Sequence, residues 1–423
     1  MLDLIVRNAR TPRDKQPTDI AVLDGKIVAV EQNMDGEAQT EIDAAGHLVT
    51  APFVDSHFHM DSALTYGQPR VNDSGTLLEG IALWGELKPT LTVDEIKARA
   101  LRMCRWSIAR GTLAIRSHVD VSDERLLAVQ ALIDVREEMK PWLDLQLVAF
   151  PQDGFLRSPG ARENLIHALD MGVDVVGGIP HFERTMADGA ESVRQLCEIA
   201  AERGLMVDMH CDESDDPLSR HIETLTYETQ RLKLNGRVTG SHLTSMHSMD
   251  NYYVSKLIPL MAEANIHAIA NPFINITIQG RHDTYPKRRG MTRVKELMAA
   301  GINVAMGHDC VMDPWYSLGS HDMLDVAHMG LHVGQMTGVD EMHAVFDAVT
   351  NNAARAIGLD GYGLDLGCNA DMVVLQCQDP IEALRLKPAR LFVIRRGSVI
   401  STTPAAHPVV SLGSGDETVT FSL

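Results

Sequence analysis

Residues 52–61 read Pro-Phe-Val-Asp-Ser-His-Phe-His-Met-Asp, and this stretch decides how the rest of the sequence is interpreted. It predicts a buried strand that ends in His57-x-His59. Side chains two residues apart on a strand point to the same side, so both imidazoles can face one point. Two neutral imidazoles converging from a strand end supply half of a transition-metal site. His-x-His also occurs on ordinary strands, so the other half must come from elsewhere in the chain.

The region that follows alternates short apolar segments with amphipathic ones. Eight segments are predicted strands: residues 52–57, 112–118, 145–150, 174–179, 205–210, 237–242, 266–271 and 302–308. Helices are predicted over residues 93–109, 123–139, 192–203, 248–264, 291–300 and 340–357. Eight strands, each followed by a helix, favour a (β/α)8 barrel over an open doubly wound sheet, which usually has fewer strands. We therefore predict an α/β fold with a TIM-type barrel over residues 51–364.

Both ends of the chain have sequence patterns typical of β-strands rather than of alternating strands and helices. Residues 3–7 and 19–31 read as strands, with Asp24-Gly25 as a hairpin turn. The same strand-like pattern recurs at residues 370–375 and 389–400. We predict that residues 1–50 and 365–423 together form one small β-sandwich domain.

Composition narrows the class of protein and its partners. The chain has 423 residues and a formal net charge of -19, which disfavours nucleic acid and anionic membranes as partners. No segment approaches the ~18 apolar residues of a membrane helix, and the start lacks the pattern of a signal peptide. The six cysteines form no Cys-x-x-Cys pair, as is typical of reduced thiols. We expect a cytoplasmic protein with a small-molecule substrate.

Polar residues with metal-binding side chains recur where the predicted strands end. In a (β/α)8 barrel these ends form the face that carries the active site. A hydrolytic metal needs three or four nitrogen or oxygen ligands and an open position for water. His57, His59, His210 and Asp309 meet this need and suit one divalent ion, either Zn2+ or Fe2+.

Two further residues at these ends are candidates for the chemistry. His242 is left to hydrogen-bond the water, and Glu213 to carry protons. Strict alternation would aim Glu213 away from His210, so it reaches the site only if the chain is already turning there. Histidines and carboxylates after strands 2 and 4 are assigned to supporting hydrogen bonds: His118, Asp120, His181 and Glu183.

Other hydrolytic chemistries lack their motifs in this sequence. There is no His-Glu-x-x-His zinc helix, no Gly-x-Ser-x-Gly nucleophile elbow and no His-x-Glu…Pro-Cys-x-x-Cys deaminase signature. Strand 4 ends in Gly178-Ile179-Pro180 without the lysine that would bridge two metals, which favours a single ion.

The sequence resembles the amidohydrolase superfamily, specifically its bacterial cytosine deaminase branch, over nearly the whole chain. The motifs that carry the resemblance are Pro52-Phe53-Val54, His57-x-His59-x-Asp61, Gly67-Gln68-Pro69, Ser74-Gly75-Thr76-Leu77, residues 118–123, residues 148–152, residues 174–183, His210-Cys211-Asp212-Glu213, Ala270-Asn271-Pro272, residues 280–290, Gly307-His308-Asp309 and Asp313-Pro314-Trp315-Tyr316.

The resemblance implies the same ligands, proton carrier and water-orienting histidine that the spacing suggests. It further implies that the Gln152 amide reads the O2/N1 edge of a pyrimidine, that the backbone of Leu77 accepts a ring N–H, and that Trp315 walls the pocket. Members of the family are often homo-oligomers. The implied reaction is hydrolytic deamination of a free base, in which a metal-activated hydroxide attacks C4.

One departure from the family pattern bears on the substrate. Family members that act on cytosine carry a second aspartate directly after the metal aspartate, and here that residue is Cys310. A thiol removes a hydrogen-bond acceptor and opens an apolar niche beside the base. We therefore expect 5-methylcytosine to be processed at least as well as cytosine. The alternatives are another amino-heterocycle, such as isoguanine, creatinine or an aminotriazine, and a catalytically silent base-binding protein.

Overall fold

Among the described residues, five strands precede the barrel, and the first three match the stretches predicted as strands, residues 3–7 and 19–31. The computed structural model describes residues 1–13, 16–413 and 415–422. The early strands are β1 (Leu2–Ala9), β2 (Thr18–Leu23), β3 (Lys26–Glu31), β4 (Ala38–Asp43) and β5 (Leu48–Thr50). Asp24 and Gly25 both have positive φ, 51° and 69°, which matches the predicted tight hairpin turn between β2 and β3.

Eight parallel strands follow and form the barrel, which confirms the predicted fold class. They are β6 (Phe53–Phe58), β7 (Thr112–Asp120), β8 (Asp144–Phe150), β9 (Val175–Gly178), β10 (Met206–Cys211), β11 (Val238–His242), β12 (His267–Ala270) and β13 (Val304–Met306). They pair in chain order from β6 to β13. A parallel bridge between Phe58 and Asp309 closes the circle. Each predicted strand thus lies within a few residues of an observed one.

Helices pack around the outside of the barrel. They are α1 (Leu77–Leu87), α2 (Val93–Ala109), α3 (Leu127–Met139), α4 (Ala161–Asp170), α5 (Met186–Arg203), α6 (His221–Arg231), α7 (Asn251–Glu263), α8 (Pro272–Ile278), α9 (Val294–Ala299), α10 (Met323–Val333), α11 (Val339–Ala348), α12 (Asn351–Ile357) and α13 (Pro380–Leu386). Short 3-10 helices span Lys88–Thr90, Pro180–Phe182 and Thr244–His247. The predicted helix over residues 340–357 is divided in two, because the backbone of Thr350 leaves the helical region.

The chain ends in β14 (Met372–Leu375), β15 (Arg390–Arg395), β16 (Ser398–Thr402), β17 (Val409–Ser411) and β18 (Asp416–Thr418). Two four-stranded sheets result, β3-β2-β1-β4 and β16-β15-β14-β5. One apolar core unites them, with Leu4 and Ile20 from one end of the chain packed with Met372 and Ile394 from the other. The termini therefore form the predicted small β-sandwich, while the domain limits after residues 50 and 364 stay predictions.

The described part of the chain contains no helix that is both long and apolar enough to cross a membrane. The cytoplasmic location and the homo-oligomeric assembly stay predictions.

Candidate metal centre and substrate pocket

The four predicted metal ligands lie at the carboxyl ends of barrel strands. His57 belongs to β6 and His59 follows directly after it, His210 belongs to β10, and Asp309 comes shortly after β13. The backbone N–H of Asp309 donates to the His57 carbonyl at 2.9 Å, and that of His59 donates to the Asp309 carbonyl at 3.0 Å. The hydrogen bonds that close the barrel therefore also fix three of the four candidates relative to one another.

The side chains of these residues converge on one small volume. The Nε2 atoms of His59 and His210 lie 2.9 Å apart. Asp309 Oδ1 lies 3.4 Å from Nε2 of His59 and 3.6 Å from Nε2 of His57. Nitrogen and oxygen atoms at this spacing can contact one ion at the ~2.0–2.2 Å typical of zinc.

Burial and charge at this cluster fit a divalent ion. Both ring nitrogens of His57, Nδ1 of His210 and Oδ2 of Asp309 are buried with no hydrogen-bond partner among the described residues. Burial and neighbouring histidines lower the pKa of His57, His59 and His210 well below its usual range, which leaves neutral rings able to bind metal. Burial and the nearby Glu213 raise the pKa of Asp309 well above its usual range, and a cation beside this carboxylate would favour its ionised form.

His118, which sequence analysis assigned a supporting role, lies inside the same cluster. Its ring centroid is 4.2 Å from that of His57, and its candidate ligand atom lies within 4.8 Å of those of the three histidine ligands. Its Nε2 is 3.7 Å from Oδ1 of Asp208, whose other oxygen accepts a hydrogen bond from Arg116 at 2.9 Å. The Arg116–Asp208 ion pair is fully buried, and together with His118 it forms the floor of the site.

Glu213 reaches the site because the chain turns directly after β10, as the sequence analysis required. Asp212 adopts a positive φ of 53°, and its carboxylate accepts hydrogen bonds from the N–H groups of His221 and Ile222 at the start of α6. Glu213 Oε1 then lies 3.2 Å from Nδ1 of His242, the last residue of β11. Burial raises the pKa of Glu213 to about 8, so this carboxyl can hold a proton near neutral pH.

A pocket opens onto the cluster. The predicted substrate-contacting residues all line it, namely Leu77, Gln152, Cys310 and Trp315, together with His59, His210, Glu213, His242 and Asp309. Sequence reasoning missed five lining residues, Ile81, Ile179, Phe182, Ile274 and Ile278, and had given a sixth, His181, only a supporting role. The structure therefore brings together the predicted reactive and substrate-contacting groups.

The aromatic wall of the pocket depends on helix α1. Trp315 packs beside Trp84, with ring centroids 6.1 Å apart. The indole N–H of Trp84 donates to Asp120 at 2.8 Å, and Lys88 lies 3.1 Å from the same carboxylate. A Cβ added at Gly80 would lie 2.5 Å from Cδ1 of Trp315, so only a glycine leaves room for the ring there.

Cys310 lies between an apolar side of the pocket and two buried carboxylates, those of Asp309 and Asp313. It is 3% exposed and clusters with Ile274 and Ile278 of α8, against which Leu77 and Trp315 also pack. Its sulfur is 3.6 Å from Oδ1 of Asp309. Burial raises the pKa of the thiol well above its usual range, so the group is neutral.

Comparison with known proteins agrees with this architecture. Residues 40–411 match the model of the amidohydrolase family. The structure of 5-methylcytosine deaminase from Klebsiella pneumoniae, liganded with 5-fluorocytosine, has 41% sequence identity and a TM-score of 0.94, covering 97% of this chain and 100% of that one. N-isopropylammelide isopropyl amidohydrolase from Pseudomonas sp. (strain ADP) is 29% identical over 94% of this chain and 97% of that protein. Pterin deaminase from Rhizobium rhizogenes is 27% identical over 90% and 87%.

The family match spans most of the chain, and the barrel, the terminal sheets and the histidine cluster are of the kind that the sequence led us to expect. The chain belongs to the amidohydrolase family, in its cytosine deaminase branch, and is a metal-dependent hydrolytic deaminase.

Proposed function

We propose that this enzyme hydrolytically deaminates a free pyrimidine base and that 5-methylcytosine is processed at least as well as cytosine. The observation that carries the proposal is the position of Cys310, buried among Ile274 and Ile278 beside Asp309. A neutral thiol in this corner offers an apolar contact to a 5-methyl group, whereas an aspartate would bring a hydrated charge. The similarity to a 5-methylcytosine deaminase supports the same substrate class.

We assign His57, His59, His210 and Asp309 as ligands of one divalent ion, Fe2+ or Zn2+. Their neutral ring nitrogens and the buried carboxylate are suitable donors for either ion. When bound, the ion supplies Lewis-acid activation of a water molecule, lowering its pKa toward neutrality.

The side chains of the pocket would then direct the reaction. The water oxygen adds to C4, and Glu213 carries the released proton to N3 of the base. Glu213 next moves the remaining hydroxyl proton to the amino group, the C4–N bond breaks, and ammonia leaves with uracil or thymine as the product. His242 and Asp309 set the direction of the water.

Recognition of the base is assigned to the pocket wall. The Gln152 amide would pair with the O2/N1 edge, the backbone carbonyl of Leu77 would accept a ring N–H, and Trp315 would cover one face. Gln152 is 7% exposed, so a hydrogen bond that it makes to the base is shielded from water.

The test compares kcat/KM for 5-methylcytosine and cytosine in the wild type and in Cys310→Asp. Burial of a methyl group contributes about 0.8 kcal/mol, so the 5-methylcytosine to cytosine ratio should fall at least about fourfold in the variant. A strong wild-type preference for cytosine that is unchanged in Cys310→Asp would overturn the role of Cys310. Lack of turnover of either base would overturn the pyrimidine assignment itself.

An aminotriazine is the second candidate substrate, because one relative acts on N-isopropylammelide. Aminotriazines, isoguanine and creatinine share a ring amidine next to a carbonyl, so Gln152 and Glu213 suit them as well. Profiling the wild type on these compounds separates them from cytosines. A silent base-binding protein would contain no metal, which elemental analysis of the purified protein would reveal.

A further inference from the structure

His242 lies between the side chains of Asn275, Glu213 and Asp309. Its Nδ1 lies 2.9 Å from the amide nitrogen of Asn275 and 3.2 Å from Oε1 of Glu213. Its Nε2 points toward the metal-ligand side, 3.8 Å from Oδ2 of Asp309. The ring is 1% exposed, so it is neutral and carries a single N–H. Which nitrogen carries that proton decides what His242 can do.

The amide of Asn275 has a fixed orientation. Its Oδ1 accepts a hydrogen bond from the backbone N–H of Asn271 at 3.1 Å, directly before α8. Backbone N–H groups at the start of a helix lack intrahelical partners, so this bond satisfies a donor that would otherwise be buried alone. With the oxygen engaged there, the amide nitrogen of Asn275 faces the His242 ring.

An amide nitrogen can only donate, so its 2.9 Å contact assigns the acceptor role to Nδ1 of His242 and the ring proton to Nε2. The contact from Nδ1 to Oε1 of Glu213 is longer, 3.2 Å, and fits the same assignment when that oxygen carries the carboxyl proton. Asn271 does not alter this conclusion, because its own amide nitrogen lies at similar distances, 3.3 and 3.4 Å, from the two ring nitrogens. Of the two asparagines, only Asn275 therefore favours one nitrogen over the other.

We propose that Asn275 is a positioning residue that holds His242 as its Nε2–H tautomer. In this form His242 donates a hydrogen bond toward the attacking water and cannot remove a proton from it, so proton removal falls to Glu213. The reaction step in this inference rests on the proposed function, whereas the tautomer itself does not.

The chain offers a matched control at the opposite end of the barrel. Asn303 directs its amide nitrogen at Nδ1 of His267 over 3.1 Å, and the same nitrogen donates to the Asn352 carbonyl at 3.0 Å. His267 is the first residue of β12, whereas the pocket lies at the strand ends. The same Asn-to-Asp change can therefore be made at an equivalent contact far from the chemistry.

The experiment measures histidine 15N chemical shifts in 15N-histidine-labelled protein, both metal-free and zinc-loaded, with His242 identified by the signals lost in His242→Asn. The wild type should show His242 protonated at Nε2. Asn275→Asp places an acceptor at Nδ1 and should move the proton there. Loss of one preorganised donor should lower kcat about 100-fold, while KM changes less than about threefold.

Asn303→Asp should change the His267 signals and leave kcat and KM at wild-type values. Asn275→Ala removes the donor without adding an acceptor, so it should give mixed tautomers and an intermediate kcat. This variant replaces Asn275→Asp in the test if Asn275→Asp does not fold.

Wild-type His242 protonated at Nδ1, or a switched tautomer with unchanged kcat, would overturn the assignment. If the wild type turns over no pyrimidine, the proposed function is wrong, and the 15N pattern still decides the role of Asn275.

Discussion

The metal cluster and the wall of the pocket lie side by side but are built differently. The histidines of the cluster lie on or directly beside strands β6, β7 and β10, where ladder hydrogen bonds fix the backbone. The wall is formed by helix α1 and by segments beyond the strand ends, and its main ring, Trp315, is partly exposed. Strand-borne groups are held by the fold itself, whereas wall groups are held by individual side-chain contacts. Substitutions in the cluster should therefore abolish activity almost completely, whereas substitutions in the wall should reduce it by degrees.

The cluster has additional support beneath β6. Asp55 accepts hydrogen bonds from the backbone N–H groups of His57 at 3.2 Å and His308 at 3.0 Å, which join the first and last strands of the barrel. His321 lies 2.8 Å from the other Asp55 oxygen and 2.7 Å from the hydroxyl of Ser107. The side chains of Asp55, His57, Ser107, His308 and His321 are all buried. This hydrogen-bond network therefore supports the cluster in addition to the strands that carry its ligands.

The largest effect is expected from His210→Ala. His210 stacks on Phe150 with centroids 4.0 Å apart and points its Nε2 at that of His59, so alanine removes a central ligand. We expect metal content to fall from one ion per chain to below about one tenth, with loss of measurable turnover. Elemental analysis and a deaminase assay measure this. His267→Ala, a buried histidine at the start of β12, should retain its metal; a metal-replete His210→Ala enzyme would contradict the ligand assignment.

The next largest effect is expected from Glu213→Gln, which keeps the shape of the side chain and removes its proton transfer. Turnover should fall about 10²–10⁴-fold with metal content unchanged. The control is Glu183→Gln, because the Glu183 carboxylate accepts backbone hydrogen bonds from residues 155, 156 and 157 at 2.6–3.0 Å. That variant should lose about 1–3 kcal/mol of unfolding free energy while keeping its turnover. Near-wild-type activity in Glu213→Gln would show that another group carries the proton.

The difference between the two regions also explains what the sequence could predict. Parallel strands end at one rim, so a histidine or carboxylate at each strand end suffices to predict the cluster. Alternation along β7 places Arg116 and His118 on one face, and this signal could have brought His118 into the site. Instead, sequence analysis gave it only a supporting role, because a lone histidine at a strand end is usually a satisfied polar group.

The wall could not be predicted from residue spacing alone. Its apolar corner uses Ile274 and Ile278, which lie on α8, a helix of only seven residues. So short a segment has too few turns for helical periodicity to identify it. Asn275 lies on the same helix, and its role depends on which atom faces His242, which spacing does not reveal. Gln152 and Trp315 were predicted only through the resemblance to the family.

The smallest expected effect tests the wall through a pair of glycines on one helix. A Cβ at Gly80 would lie 2.5 Å from the Trp315 ring, whereas one at Gly85 meets nothing within 4 Å. Gly80→Ala should displace Trp315 and raise KM about tenfold, with a smaller change in kcat, because the metal cluster is untouched. Gly85→Ala should leave both constants unchanged and stabilise the protein by up to about 1 kcal/mol, since alanine favours the helix. Steady-state kinetics and thermal unfolding of the two variants measure this. If Gly80→Ala lowers kcat as strongly as Glu213→Gln does, the wall and the cluster are not separable, and Trp315 helps to align the reacting atoms as well as to bind the base.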